Sequence, residues 1–152
     1  MRNDVIYKGV ISATGQGPLT PGIQGGTIGP ELQFGHVMGF YHDAPVLIIK
    51  ASIGNRSLGW DILPPGSTRY TMNGKVYAGY KDSPSSWEEG TKPEPINWYA
   101  GKTYDRYVEN IHAVLNNFEK LFPQYKDQGY TIAGFVWWQG HKDGGSEGHI
   151  SR

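Results

Sequence analysis

The run Val46-Leu47-Ile48-Ile49 restricts the fold more than any other stretch of this chain; it is entered from Pro45 and left through Lys50-Ala51-Ser52-Ile53-Gly54-Asn55. Four consecutive apolar residues are too few for a helix, and they are apolar on both faces, as a parallel strand covered by helices is. A second such run, Tyr130 to Trp138, follows Gly129 and stops in Gln139-Gly140-His141-Lys142-Asp143. Between the two runs, Tyr104, Val108, Ile111, Leu115, Phe118 and Phe122 recur at helical intervals behind Thr103, a good N-cap type, until Pro123. A strand, helix, strand unit of this kind implies an α/β fold with a right-handed crossover.

The flanking segments fit the same class. Val5 to Ile11 reads as a short strand leading into a glycine-rich loop that runs to Gly29. Pro30 is a favourable first helical residue, and Leu32, Phe34, Val37, Met38 and Tyr41 predict a helix to about Tyr41. From Leu63 to Tyr99 five prolines and scattered Gly, Ser and Trp show no sustained period. Loops of that length are functional or disordered, and the aromatics here favour an ordered substrate-side insertion over 63–99.

Composition removes several function classes. Fourteen Lys and Arg balance fourteen Asp and Glu, with no basic stripe, so nucleic acid is not an expected partner. No cysteine is present, which excludes disulfides, thiolate metal sites and cysteine nucleophiles. The apolar runs are far too short to span a bilayer, so no membrane partner is expected. The amino terminus has no apolar h-region, so the chain is expected to be cytosolic or to derive from a longer, secreted or periplasmic parent. Twenty aromatics and 22 glycines among 152 residues suit a loop-rich, sugar-binding surface.

Chemistry is expected in the polar loop after the second apolar run. In an open α/β sheet, ligands bind outside the carboxyl ends of the strands. Ser52 lacks the Gly-x-Ser-x-Gly elbow and a nearby base, and strand-end serines usually cap or turn. His141 reads equally as a substrate ligand and as a loop histidine bonded to its neighbours, and Asp143 equally as a ligand and as a turn cap. The spacing of His141, Asp143, Glu147 and His149 fits no helical metal pair or calcium loop, so neither metal nor cofactor is implied. Glu31 is expected to complement the start of its helix electrostatically.

Three segments together resemble the sialate O-acetylesterase-like carbohydrate esterases, carbohydrate esterase family six and its relatives in the SGNH hydrolase superfamily. Ile28-Gly29-Pro30-Glu31-Leu32-Gln33-Phe34-Gly35 is similar to that family's Gly-Pro-Glu helix start. Residues Val46 to Leu58 are similar to its apolar strand ending in Lys-x-Ala-x-Gly-Gly-x-Ser-Leu, and Trp137 to Asp143 to its Trp-x-Gln-Gly-Glu-x-Asp. Asn55 stands at the second glycine, and His141 where glutamate is commoner.

The resemblance implies a partial flavodoxin-like three-layer fold over 1–152 and hydrolysis of O-acetyl esters on sugars by a serine mechanism. It places Gly54 and Gln139 in the oxyanion hole and makes an acetylated carbohydrate the partner. The family's Gly-Gln-Ser-Asn nucleophile motif and Asp-x-x-His base motif are not in this sequence. The chain is therefore expected to be an internal segment carrying the oxyanion-hole and substrate-loop parts, without turnover of its own. Lacking the family's first strand, it is expected to be marginally stable and to self-associate through exposed strand edges. Asn55, His141, Asp143, Trp87 and Trp98 are the expected substrate contacts. The alternative is a noncatalytic carbohydrate-binding module in which Trp87 and Trp98 stack on a glycan.

Overall fold

β1, Arg2–Ile11, is the strand around which the amino-terminal part is built; the structure, a computed structural model, describes residues 2–151. β1 pairs antiparallel with β2, Gln16–Leu19, and parallel with β3, Val46–Ser52, in the order β2-β1-β3. The parallel register runs from Val5 opposite Val46 to Ile11 opposite Ser52. Val5, Ile6 and Tyr7 are consecutive and all buried, so β1 is covered on both faces, whereas β3 is half-buried throughout. The chain divides into two compact units, Met1–Ile53 with Glu109–Asn116 and Gly54–Val108 with Asn117–Arg152.

In the first unit the crossover between β1 and β3 contains α1, Glu31–Tyr41. Its inward face is not the apolar set that helical spacing suggested. Glu31, Gly35 and Gly39 are buried, while Phe34, Val37, Phe40 and Tyr41 are exposed. Small residues four apart let the helix approach the sheet closely. A Cβ at Gly35 would run into Leu19 and lie 2.7 Å from Ile48 Cδ1. The core beneath is Val5, Tyr7 and Leu19, with Ile23, Leu32, Val46 and Ile48 packed against it.

Glu31 is the acidic residue in the first turn of α1, as expected, and it also binds side chains outside the helix. Lys50 Nζ lies 2.9 Å from its Oε2 and 2.8 Å from Gln24 Oε1, and Gln24 Nε2 donates to Glu31 Oε1. The carboxylate folds back over Gly29, where a Cβ would sit 2.5 Å from Oε2. The glycine and the glutamate of Gly29-Pro30-Glu31 thus depend on each other, and Lys50 ties them to β3.

In the second unit the 63–99 excursion is ordered and holds a small antiparallel sheet of β4, Tyr70–Met72, β5, Lys75–Tyr77, and β6, Ser86–Glu88. Asn73 and Gly74 connect β4 to β5 with φ of 52° and 73°, the conformation a two-residue hairpin turn demands. Leu63, Ala78 and Ala100 form its core, flanked by Trp60 and Trp87. Arg69 grips Asp82 in a two-pronged ion pair at 2.6 and 2.7 Å, and the Gly79 amide donates to the same carboxylate at 2.8 Å. The Arg69 bond, opposed by burial and aided by Gly79, holds the Asp82 carboxyl below its usual range. Burial raises the Asp105 carboxyl, but hydrogen bonds from Lys81, Tyr80 and Tyr99 outweigh it and the net shift is downward.

α2 spans Lys102–Asn116 and is followed by the single turn α3, Phe118–Leu121. The expected helix is therefore broken at Asn117. Thr103 lies inside α2, fully buried, not at the cap; its backbone N–H donates to the Asp61 carbonyl at 2.9 Å. The second expected strand, Tyr130 to Trp138, joins no sheet, and Ile132, Phe135 and Trp138 are 73%, 77% and 82% exposed. Apolar β-formers become a strand only when a neighbour accepts their backbone hydrogen bonds, and no described strand pairs with this segment. The fold is thus α/β with two small sheets, one of them containing a parallel pair.

Tyr7 generates a pH prediction. Its hydroxyl is buried with no hydrogen-bond partner, and burial followed by the Glu31 charge pushes its pKa up to about 12. Because the folded value exceeds the unfolded one, the contribution is fully present below pH 10 and is lost as pH rises from about 10 to 12. Urea unfolding should show a loss of up to about 1.4 kcal/mol per pH unit in that window. Tyr7→Phe should be at least as stable at neutral pH and lack that part of the slope. Parallel decline of wild type and variant above pH 10 would refute the assignment.

Candidate active site

Residues 54–58 and 139–143, the ends of the two motif-bearing segments, are stitched together in the second unit. Gln139 Nε2 donates to the Arg56 carbonyl. Ser57 Oγ donates to Asp143 Oδ1, and the Leu58 amide donates to Asp143 Oδ2 at 2.6 Å. The Ser57 amide donates to Asp61 Oδ2 at 2.9 Å, and Arg56 Nη1 approaches Asp61 Oδ1 at 3.5 Å. Ser57, Asp61 and Asp143 are all buried, so the two bonds that Ser57 makes to the carboxylates are shielded from water, while those of Arg56, Leu58 and Gln139 are part-buried.

Asn55 explains itself. Its φ is 59°, in the left-handed region where glycine is unstrained and asparagine is the best-tolerated alternative. Asparagine at the motif's second glycine therefore keeps the backbone turn that glycine permits. Gly54 is exposed, and a Cβ there would meet nothing within 4 Å, so packing does not require glycine at that position.

His149, on the short helix α4, Glu147–Ile150, completes the cluster. Its Nδ1 lies 3.6 Å from Asp143 Oδ1, and its ring meets Tyr77 edge-on at 5.4 Å. Gly59 makes room for it, since a Cβ there would lie 2.7 Å from His149 Cβ. Ser57, Asp143 and His149 are the residue types of a hydrolytic triad, but their order is wrong for one. In a triad the histidine stands between serine and carboxylate and takes the serine's proton. Here the carboxylate stands in the middle and the serine, 5% exposed, donates to it directly. The arrangement is a structural clasp.

Beside the clasp opens a cleft of about 730 Å³ whose lining includes Asn55, Arg56, Trp60, Ile96, Trp98 and Lys142. Trp98 carries Arg56 Cζ 4.9 Å and Lys102 Nζ 4.6 Å from its ring centroid. Of the residues expected to touch substrate, the cleft gathers Asn55, Trp98 and Asp143. Asp143 lines it from beneath with both oxygens engaged by residues 57 and 58. Trp87 is elsewhere, packed on the Leu63 core with Arg69 Cζ 5.2 Å from its ring. His141 is exposed and outside the cleft lining; its carbonyl accepts from Gly144 at 3.2 Å. Neither oxyanion candidate is among the residues that line the cleft: Gly54 precedes Asn55, which does, and Gln139 has one of its two amide protons directed at the Arg56 carbonyl. Arg56, Ser57 and Asp61 escaped sequence reasoning, and His149 was weighed there only as a metal ligand; Ser57-Leu58 lay inside a segment that carries the resemblance, but nothing in the sequence reveals which carboxylate it meets. Among the described residues, no group of three acidic or histidine side chains is placed to hold a metal ion, and no helix is long and apolar enough to cross a membrane. No protein-family model, curated protein or solved structure matches the chain.

The clasp is open to direct measurement. Asp143→Ala leaves the buried Ser57 hydroxyl and the part-buried Leu58 amide without an acceptor and should cost about 2–4 kcal/mol in urea unfolding, with Asp143→Asn costing less. Asn55→Gly should be nearly neutral, while Asn55→Ala should cost about 1 kcal/mol because of its positive φ. A loss under about 0.5 kcal/mol for Asp143→Ala, the range of ordinary surface changes, would exclude the clasp.

Proposed function

We propose that this chain supplies the oxyanion-hole and substrate-loop segments of a serine carbohydrate esterase of the sialate O-acetylesterase type, acting on O-acetyl esters of sugars. The flavodoxin-like three-layer arrangement belongs to the same proposal. The observation that carries it is the stitching of residues 54–58 to residues 139–143, the two motif segments to which the resemblance assigns oxyanion donors. When a serine oxygen adds to an acetyl carbonyl, the carbonyl electron pair moves onto oxygen. The Gly54 backbone N–H and the Gln139 side-chain amide are the donors that would receive this charge. Such donors contribute about 3–4 kcal/mol each to lowering the barrier, and neutral amides keep that role at any pH. Ser57 is excluded as the nucleophile by its burial and its bond to Asp143.

The chain by itself is expected to turn over an aryl acetate no faster than background, and serine-dependent turnover would overturn this division of roles. In ligand-observed NMR, methyl tri-O-acetyl-β-xyloside should bind more tightly than methyl β-xyloside, and Gln139→Ala should abolish the preference. Equal affinity for both sugars, lost on Trp98→Ala and indifferent to Gln139, would favour the noncatalytic binding module. Trp60, Ile96 and Trp98 in the cleft are the observation on that side.

A further inference from the structure

We infer that Asn73, at the tip of the β4–β5 hairpin, is a site of spontaneous deamidation whose product releases α4 from the hairpin. In this reaction the Gly74 backbone nitrogen, having lost its proton to water or hydroxide, attacks the side-chain carbonyl carbon of Asn73. The new C–N bond closes a five-membered succinimide, and the side-chain nitrogen leaves as ammonia. Water then opens the ring at either carbonyl, giving aspartate or isoaspartate. Glycine obstructs this attack least because it has no Cβ, and Asn73 is the only asparagine in the chain that a glycine follows.

The structure leaves the tip open to this chemistry. Asn73 and Gly74 are both exposed, and a Cβ at Gly74 would meet nothing within 4 Å. The flanking strands are three residues each, so the turn opens locally without unfolding the rest of the unit. Asp143-Gly144 is the other pair with succinimide-forming residue types, and it is closed to the reaction. Both Asp143 oxygens are engaged by residues 57 and 58, the side chain is buried, and the Gly144 N–H donates to the His141 carbonyl at 3.2 Å.

The conversion matters because α4 rests on this hairpin. A helix of one turn does not hold itself together, and α4 depends on what it packs against. His149 meets Tyr77 edge-on, Gly148 lies so close to the same ring that a Cβ would run into it, and Asn73 Nδ2 donates to Glu147 Oε2 at 3.4 Å. Deamidation replaces that donor with a carboxylate facing a carboxylate. Lys75, the adjacent cation, lies 3.8 Å from Glu88 and is paired there. Isoaspartate also adds a methylene to the main chain, which a two-residue turn between three-residue strands cannot absorb in register. Because α4 carries His149 beside Asp143, a change at the exposed tip reaches the edge of the clasp.

The test is incubation of the full chain in mildly alkaline buffer, followed by peptide mapping for the amide-to-acid mass gain. Hydrogen exchange is then read at the His149, Ile150 and Ser151 amides, whose bonds close α4. Asn73 should convert before any other asparagine, and the converted chain should exchange those amides faster than the fresh one. Asn73→Asp should speed the exchange about twofold, the scale of an exposed like-charge pair, and the isoaspartyl form should exceed it. Asn73→Gly adopts a positive φ without strain and has no side-chain amide, so it should show neither conversion at the tip nor a change on incubation. Survival of Asn73 for as long as the urea-unfolded chain needs to convert fully overturns the inference, because the folded turn then protects its amide. Earlier reaction at another asparagine overturns it as well. So does exchange at the wild-type rate in both the converted chain and Asn73→Asp, since α4 would then be indifferent to the tip.

Discussion

Two buried carboxylates, Asp61 and Asp143, determine where the functional loop of the second unit can be. Between them they accept from the amide of Ser57, the hydroxyl of Ser57 and the amide of Leu58. Asp61 also offers its carbonyl to the first amides of α2, so one residue anchors both the loop and the start of the helix. A buried carboxylate is tolerated only when its lone pairs are occupied, and an amide without an acceptor costs as much as the bond it lacks. Each partner therefore holds the others in place. Loss of any one would leave a polar group at the floor of the cleft without its partner.

The first unit uses a related device with different parts. Glu31, Lys50 and Gln24 form a partly buried polar knot between α1 and β3, and Gly29 leaves space for the folded-back carboxylate. Such a knot adds little stability beyond an apolar contact of the same size, but it defines which helix turn faces which strand residue. Gly35 completes the registration by letting the helix backbone settle against the sheet, and Gly39 is buried one turn on. In both units, partly or wholly buried polar side chains serve to fix a backbone in place.

The aromatic residues sort by charge as much as by apolar area. Trp87 and Trp98 each lie under a guanidinium, and Tyr80 and Tyr99 flank Lys81 while donating to Asp105. Cation–π contacts of this kind are worth about 0.5–1 kcal/mol at exposed sites. They also explain why residue type alone gives a poor forecast of sugar contacts. Trp87 has the right ring for stacking, yet it belongs to the Leu63 core and the Arg69 contact. Trp98 lines the cleft, and nothing in its local sequence distinguishes it from Trp87.

What was legible in the sequence was local. The strand at Val46, the helix after Pro30 and the helix behind Thr103 follow from short-range periodicity, which side-chain burial enforces in any fold. The Asn73-Gly74 hairpin was not read from the sequence, although that dipeptide is the strongest short-range turn signal, because the strands it joins are three residues each and too short to show a period. Three features were decided by tertiary structure alone: the inward face of α1, the absence of pairing for Tyr130 to Trp138, and the partners of Ser57. A glycine face outcompetes an apolar one only when a sheet stands close enough to reward it, and a β-forming run is a strand only if another backbone lies beside it. The 86 residues separating Ser57 from Asp143 are bridged by folding, and no pattern in either segment names the other. The sequence by itself determined the local leaning of segments such as the strand at Val46 and the two main helices, because that depends on neighbours a few residues away; which extended segments pair, where a helix breaks and which side chains meet were left to the tertiary structure, because these depend on neighbours that only folding supplies.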